Sequence, residues 1–231
     1  MNRFIGTSLL LISATFTFIV SGCGEKTPVN PEQAKNFQCG SDYAREKLLI
    51  EFSEKLKEEG AKGYSAATIK DIVTLKDIVQ VSKDAKGPDV KCNAQITVKY
   101  PADLADKFAN IFSSEKSVNE FRDLLEEKYG VVNGGGFYTQ LMDAIADGPF
   151  GVVPSIPDPS SFGKYKVVIK KNLETVIAEQ LDIAISYELK LDINTGLDST
   201  HPFVKWQINK RNALDINTSL ISINSALQPA F

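Results

Sequence analysis

Residues 181–194 read LDIAISYELKLDIN, and every odd position is apolar: Leu181, Ile183, Ile185, Tyr187, Leu189, Leu191 and Ile193. The even positions, Asp182, Ala184, Ser186, Glu188, Lys190, Asp192 and Asn194, are small or polar. Successive side chains of a strand point to opposite faces, so this pattern predicts a ribbon with one buried side and one open side. A strand with a wet face belongs to an antiparallel sheet, because parallel sheets are covered on both faces. The apolar side must lie against something.

The partner is found upstream. Ser41 or Asp42 can cap a helix running to about Glu59, with Ala44, Leu48, Phe52 and Leu56 at spacings of four and Gly60 as its stop. IVTLKDIVQVSKD then alternates through Val73, Leu75, Val79 and Val81, interrupted by Asp77, and Lys86-Gly87-Pro88 reads as a turn. CNAQITVKY alternates again, with Cys92, Ala94, Ile96, Val98 and Tyr100 on one face.

From 101 to 148 the period becomes helical. Leu104, Phe108 and Ile111 follow Pro101 on one stripe. Ser117-Val118-Asn119-Glu120 reads as a capping box ahead of Phe121, Leu124, Leu125 and Tyr129, with Gly130 as the stop. Asn133-Gly134-Gly135-Gly136 reads as a loose turn before a short helix of Phe137, Leu141, Ala144 and Ile145, closed by Gly148. Pro149, Pro154, Pro157 and Pro159 mark an irregular connection. Strands are expected again at Tyr165 to about Val176, at the ribbon, and at Val204–Ile208, before a loose terminal element, NALDINTSLISINSALQPAF.

This order predicts an α+β fold: an antiparallel sheet of about five strands packed on an N-terminal helix, with residues 39–231 as one domain and a helical insertion at about 101–148. A helix cradled in a curved antiparallel sheet is similar to the cystatin and NTF2-like arrangement. The likeness is one of pattern and involves no residues specific to either family.

The N-terminus is an address. Arg3 precedes seventeen uncharged residues, Phe4 to Val20, slightly short for a span of about 20 residues. Val20-Ser21-Gly22-Cys23 resembles the lipobox of bacterial lipoprotein precursors, in which a branched residue and two small ones precede an obligatory Cys. The resemblance implies a signal peptide at 1–22, cleavage before Cys23, a diacylglyceryl thioether on its sulfur, and usually an acylated, palmitate-like amine. Two or three chains pass the anchoring threshold that one chain misses, at about 0.8 kcal/mol per buried methylene. Gly24, where an Asp would retain the protein at the inner membrane in the enterobacterial pattern, implies the outer membrane facing the periplasm. Residues 23–38 then form a lipidated Cys and a flexible tether, with Pro28 and Pro31; fifteen residues from Gly24 to Gln38 span roughly 20–25 Å.

With Cys23 spent on lipid, Cys39 and Cys92 remain, and an even remainder in an exported protein reads as one disulfide. Cys39 stands just ahead of the helix cap and Cys92 on an apolar strand face, so a bridge between them would pin the helix start onto the sheet. No metal or cofactor is expected, because there is no CxxC and His201 is the only His.

Composition excludes further classes. A net charge of −3 and a pI near 5.4 give no reason to seek nucleic acid. Lys164, Lys166, Lys170 and Lys171 form the densest basic cluster, read as a solvated sheet face ahead of an anionic-lipid patch. His201 before Pro202 reads as a turn or strand-start residue. GYSAA at 63–67 lacks the last Gly and the preceding strand of a nucleophile elbow. Ser113…Lys116 and Ser161…Lys164 lack the companion motifs of SxxK enzymes. Asp192 to Asp198 has its Gly at position five, where an EF-hand needs it at position six.

The expectation is therefore a lipid-anchored envelope protein, a non-catalytic binding or assembly module with a protein partner. Phe137, Tyr138, Phe150, Val152, Val153 and Ile156, set among Gly and Pro, are the candidate partner-binding residues. A carrier of a lipid or other apolar ligand is the alternative, separated by whether Phe52 and Leu56 fill the inner face of the ribbon. A hydrolase with spatially assembled carboxylates is a third reading.

Overall fold

The ribbon pairs on both sides. The computed structural model describes residues 35–61, 66–83, 89–154, 161, 163–191 and 201–228. Within them, β1 (Val73–Lys83), β2 (Val90–Val98), β5 (Asp182–Lys190) and β6 (Phe203–Ile208) form one antiparallel sheet in the order β1-β2-β5-β6. The lipobox, the rest of the expected tether up to residue 34, residues 63–65, Lys86-Gly87-Pro88, Ile156, Pro157, Pro159 and Asp192 to Asp198 lie outside the described residues.

Helix α1 (Asp42–Glu58) begins where the Ser41 hydroxyl accepts the Ala44 amide, as the sequence predicts. Its stripe of Ala44, Leu48, Phe52 and Leu56 is fully buried in one cluster with Ile183, Ile185, Tyr187 and Leu189 of β5. Burying each large member of that stripe contributes about 1.5–3 kcal/mol. A short helix, α2 (Ala66–Ile72), leads into β1.

Cys39 and Cys92 form a disulfide, with Cα atoms 5.8 Å apart. A separation of 53 residues gives the bond about 4 kcal/mol of stabilisation on the chain-entropy account. Cys92 pairs across the sheet with Tyr187, whose hydroxyl accepts the Gly40 amide at 3.2 Å. Arg45 closes the corner, donating to the Gly40 and Leu75 carbonyls at 2.9 and 3.3 Å.

Strand β1 departs from simple alternation. Val73 and Leu75 face inward, but the register shifts between Lys76 and Val79, with Asp77 at φ 50°. A bulge of this kind turns the following side chains to the other face. Val79 pairs with Asn93 of the open face, and Val79 and Val81 are each 58 % exposed.

A second apolar cluster lies in the helical block. It contains α3 (Leu104–Ile111), α4 (Glu115–Tyr129), α5 (Val131–Ala146) and α6 (Lys166–Glu179). A small hairpin, β3 (Asp147–Gly148) with β4 (Gly151–Val152), joins α5 to the segment before α6. Helix α7 (Arg211–Ala226) ends the fold and contributes to both clusters: Ala213, Leu214 and Ile221 to the first, Leu220, Ile223 and Ala226 to the second.

The α+β class holds, and several further details differ from expectation. Residues 166–179 are helix, not strand: alternation of Tyr165, Val167 and Ile169 with lysines is outweighed by the helical stripe Ile169, Asn172 and Leu173, the residues that are buried. The main sheet accordingly has four strands. The tail is a helix because both clusters cover it, so its apolar residues form no single stripe. Its Asn217, Thr218 and Ser219 side chains bond to the carbonyls four residues earlier, satisfying polar groups that would otherwise oppose burial. Helix α4 starts three residues before the expected box, with Ser114 accepting the Ser117 amide.

Finally, Asn133-Gly134-Gly135-Gly136 lies inside α5, where it allows a close crossing. A Cβ on Gly134 would collide with the Leu125 carbonyl and the Glu126 nitrogen of α4, whereas one on Gly136 would meet nothing within 4 Å. Gly134→Ala is expected to destabilise the fold by about 1–3 kcal/mol. Gly136→Ala should stabilise it by up to about 1 kcal/mol through helix propensity alone. Denaturant midpoints of the two variants check the contrast.

Candidate functional site

Two surfaces carry the exposed chemistry. The first is the side of the sheet turned away from α1. Directly paired residues share a face, so the register aligns the open-face side chains into rows. Val79, Asn93, Ser186 and Gln207 form one row, and Ser82, Lys91, Glu188 and Lys205 the next. Asn93, Ser186 and Gln207 of the first row and Lys91, Glu188 and Lys205 of the second line a groove of about 320 Å³, with Val81 at its side.

The groove is tied by polar contacts. The Ser186 hydroxyl lies 3.0 Å from Asn93 Oδ1 and 3.2 Å from Asn209 Oδ1. Glu188 takes Lys190 at 2.6 Å and Lys91 at 3.1 Å. Hydrogen bonds from Lys190 and then Lys91 hold the Glu188 carboxyl below its usual range. Beyond the groove, Asp182 accepts Thr97 at 2.8 Å and pairs with Lys76 at 3.0 Å. Partial burial pushes Asp182 up, and these two bonds outweigh it and hold the carboxyl low. Neither carboxylate is poised to exchange a proton near neutrality, and the neighbours of Ser186 are amides, which cannot take its proton. The surface is suited to recognising a polar ligand through amides, a hydroxyl and ammonium groups.

The second surface is the β3–β4 hairpin, where the sequence placed its binding residues. The structure divides that set. Phe137 and Tyr138 are buried on α5, and Val153 is buried just after β4, all in the second apolar cluster. Burial pushes the Tyr138 phenol up to about 12, opposed by Arg122, whose guanidinium sits 5.8 Å from the ring centroid. Phe150 and Val152 alone are exposed, on the hairpin, and Ile156 is outside the described residues. Sequence does not separate the buried members from the exposed ones, because the glycine run hides the start of α5 and with it the inward face of that helix.

Sequence reasoning missed Asn172, the residue that positions the hairpin. Buried on α6, its Nδ2 donates to the Ile145 carbonyl at 3.0 Å and the Gly151 carbonyl at 2.9 Å, and its Oδ1 accepts the Phe150 amide at 3.1 Å. A Cβ on Gly148 would strike the same amide. The available signal was an Asn among the apolar residues Ile169 and Leu173, visible only once 166–179 is read as helix.

His201, exposed just ahead of β6, lies with its ring 4.9 Å from that of Tyr43, in keeping with a strand-start role. Among the described residues no group of three or more His, Cys, Asp or Glu is placed to hold a metal ion, and no helix is long and apolar enough to cross a membrane. No family model, no curated protein and no solved structure matches the chain.

Asn172→Ala would leave the Phe150 amide and two carbonyls without their partner, at a cost of about 3 kcal/mol. Hydrogen exchange is expected to accelerate at the Phe150 and Val153 amides more than in β2 or β5, which peptide-resolved measurement checks.

Proposed function

We propose that the protein is a lipid-anchored component of a bacterial envelope whose body is a non-catalytic binding or assembly module. The observation that carries this reading is the Cys39–Cys92 bridge. Structural disulfides persist in oxidising compartments outside the cytoplasm. The bridge uses two of the three thiols and leaves Cys23, in the lipobox-like Val20-Ser21-Gly22-Cys23, for acylation.

The surface chemistry supports binding over catalysis. The open sheet face offers hydrogen-bonding rows and charges already tied in pairs, and these recognise without transferring protons. The carrier reading needs room between α1 and the ribbon. Phe52 and Leu56 occupy that position with no exposure, beside an equally buried Ile183 and Ile185, which favours a module acting through its outside. Gly24 after the acylated Cys supports an outer-membrane location facing the periplasm, with the tether between lipid and body.

Cells grown with an alkyne-labelled palmitate analogue provide the test. The wild-type chain should take the label and sediment with membranes. Cys23→Ser should lose both the label and the cleavage before residue 23. An unlabelled wild-type chain with three free thiols in the cytosol would overturn the reading. Crosslinking of the native form should then retrieve a recurring stoichiometric envelope protein.

A further inference from the structure

We propose that the β3–β4 hairpin and the first turns of α6 form a docking surface for an anionic lipid bilayer. The geometry begins at Asn172, whose three hydrogen bonds lock the hairpin onto α6. This places side chains from two elements in one rigid corner. Phe150 is 52 % exposed, Val152 70 % and Val167, in the first turn of α6, 62 %. Lys171, one helical turn after Val167, holds its ammonium 5.3 Å from the Phe150 ring centroid. The Gly151 backbone lies so near Val168 that a Cβ there would approach its methyl to 3.3 Å.

Lys171 stands against Phe150, and further lysines lie on and just ahead of the first turns of α6. Lys164, Lys166 and Lys171 are exposed, and no carboxylate among the described residues pairs with them. Lys170 is different: it is held by Asp106 at 2.8 Å and Glu174 at 3.9 Å. Asp147, opposite Val152 in the hairpin, opposes the three with a single negative charge. With Asp106 and Glu174 counted beside Lys170, the four lysines exceed the three carboxylates by one positive charge, on a chain of net charge −3.

That composition fits a bilayer surface. Phenylalanine and valine can enter the boundary between headgroups and acyl chains, while lysine stems extend past them to place ammonium groups at the phosphates. Each lysine near an anionic surface contributes about 1 kcal/mol. The corner is an exposed hairpin turn held from behind by Asn172, and apolar groups on it can enter a fluid interface without a complementary partner. The inference rests on the anchored-module reading only for the nearness of a membrane; the surface itself stands on the hairpin.

The test separates the two. The chain from residue 23 onward keeps every described residue and both bridge cysteines. With Cys23→Ser and an N-terminal polyhistidine tag, it is held on vesicles by a nickel-chelating lipid, independently of acylation. Phe150→Trp supplies a reporter quenched by phosphatidylcholine brominated on its acyl chains. The native Trp206, which packs with the other apolar cluster, is the internal control. On vesicles containing phosphatidylglycerol, the indole introduced by Phe150→Trp should be quenched and that of Trp206 should not. Replacing Lys164, Lys166 and Lys171 by Gln should lower the docking constant roughly five-fold per lysine. Quenching that is absent, equal on phosphatidylcholine alone, or unchanged by the lysine replacements overturns the proposal. A failed palmitate label with intact quenching would remove the anchor and leave the docking surface standing.

Discussion

Much of the architecture depends on the corner where Cys39 meets Cys92. The bridge ties Cys39, just ahead of the α1 cap, to the start of β2, and the cross-strand neighbour of Cys92, Tyr187, takes the Gly40 amide on its hydroxyl. Gly40 turns the chain from the bridge into the Ser41 cap at φ 76°, where a Cβ would also press on Ile78. Helix start, β2 and β5 therefore converge within a few residues. With its first turn fixed over the sheet, α1 lays Leu48, Phe52 and Leu56 along the ribbon, and the inner face is filled. The direction of α1, more than its sequence, decides that the sheet encloses a core instead of a cavity.

The sheet half of the fold was legible because its residues obey one period and face one neighbour. Alternation in β2 and β5 maps directly onto burial, and the stripe of α1 does the same. The helical half was less legible where residues answer to two neighbours. Helix α7 is enclosed by both clusters, so its inward positions include Asn217, Thr218, Ser219 and Ser222 as well as Leu220 and Ile223. The glycine run of α5 is a poor helix former by propensity, and the approach of α4 at Gly134 requires it. In α6 a brief alternation of lysine with Tyr165, Val167 and Ile169 imitated a strand. The candidate site shared that error. Phe137, Tyr138 and Val153 are apolar residues near glycine and proline that prove to be core, and Asn172 has meaning only on a helix.

The two outward surfaces differ in kind. On the open sheet face almost every charge already has a protein partner: Glu188 its two lysines, Asp182 its lysine and threonine. A ligand there must compete with contacts already made, which favours selectivity over tight binding. At the hairpin the lysines have no carboxylate partner among the described residues, and apolar groups stand uncovered. That surface has already met the cost of exposure, so association recovers free energy without breaking internal pairs.

The placement of α7 couples the two halves of the fold. Leu214 and Ile221 complete one cluster while Leu220 and Ile223 complete the other, and Asn217 ties the junction by donating to the Gln180 carbonyl and accepting the Tyr100 hydroxyl. Opening α7 would uncover both hydrophobic interiors at once. Neither half can therefore loosen there without the other, and the two should lose protection as one cooperative unit.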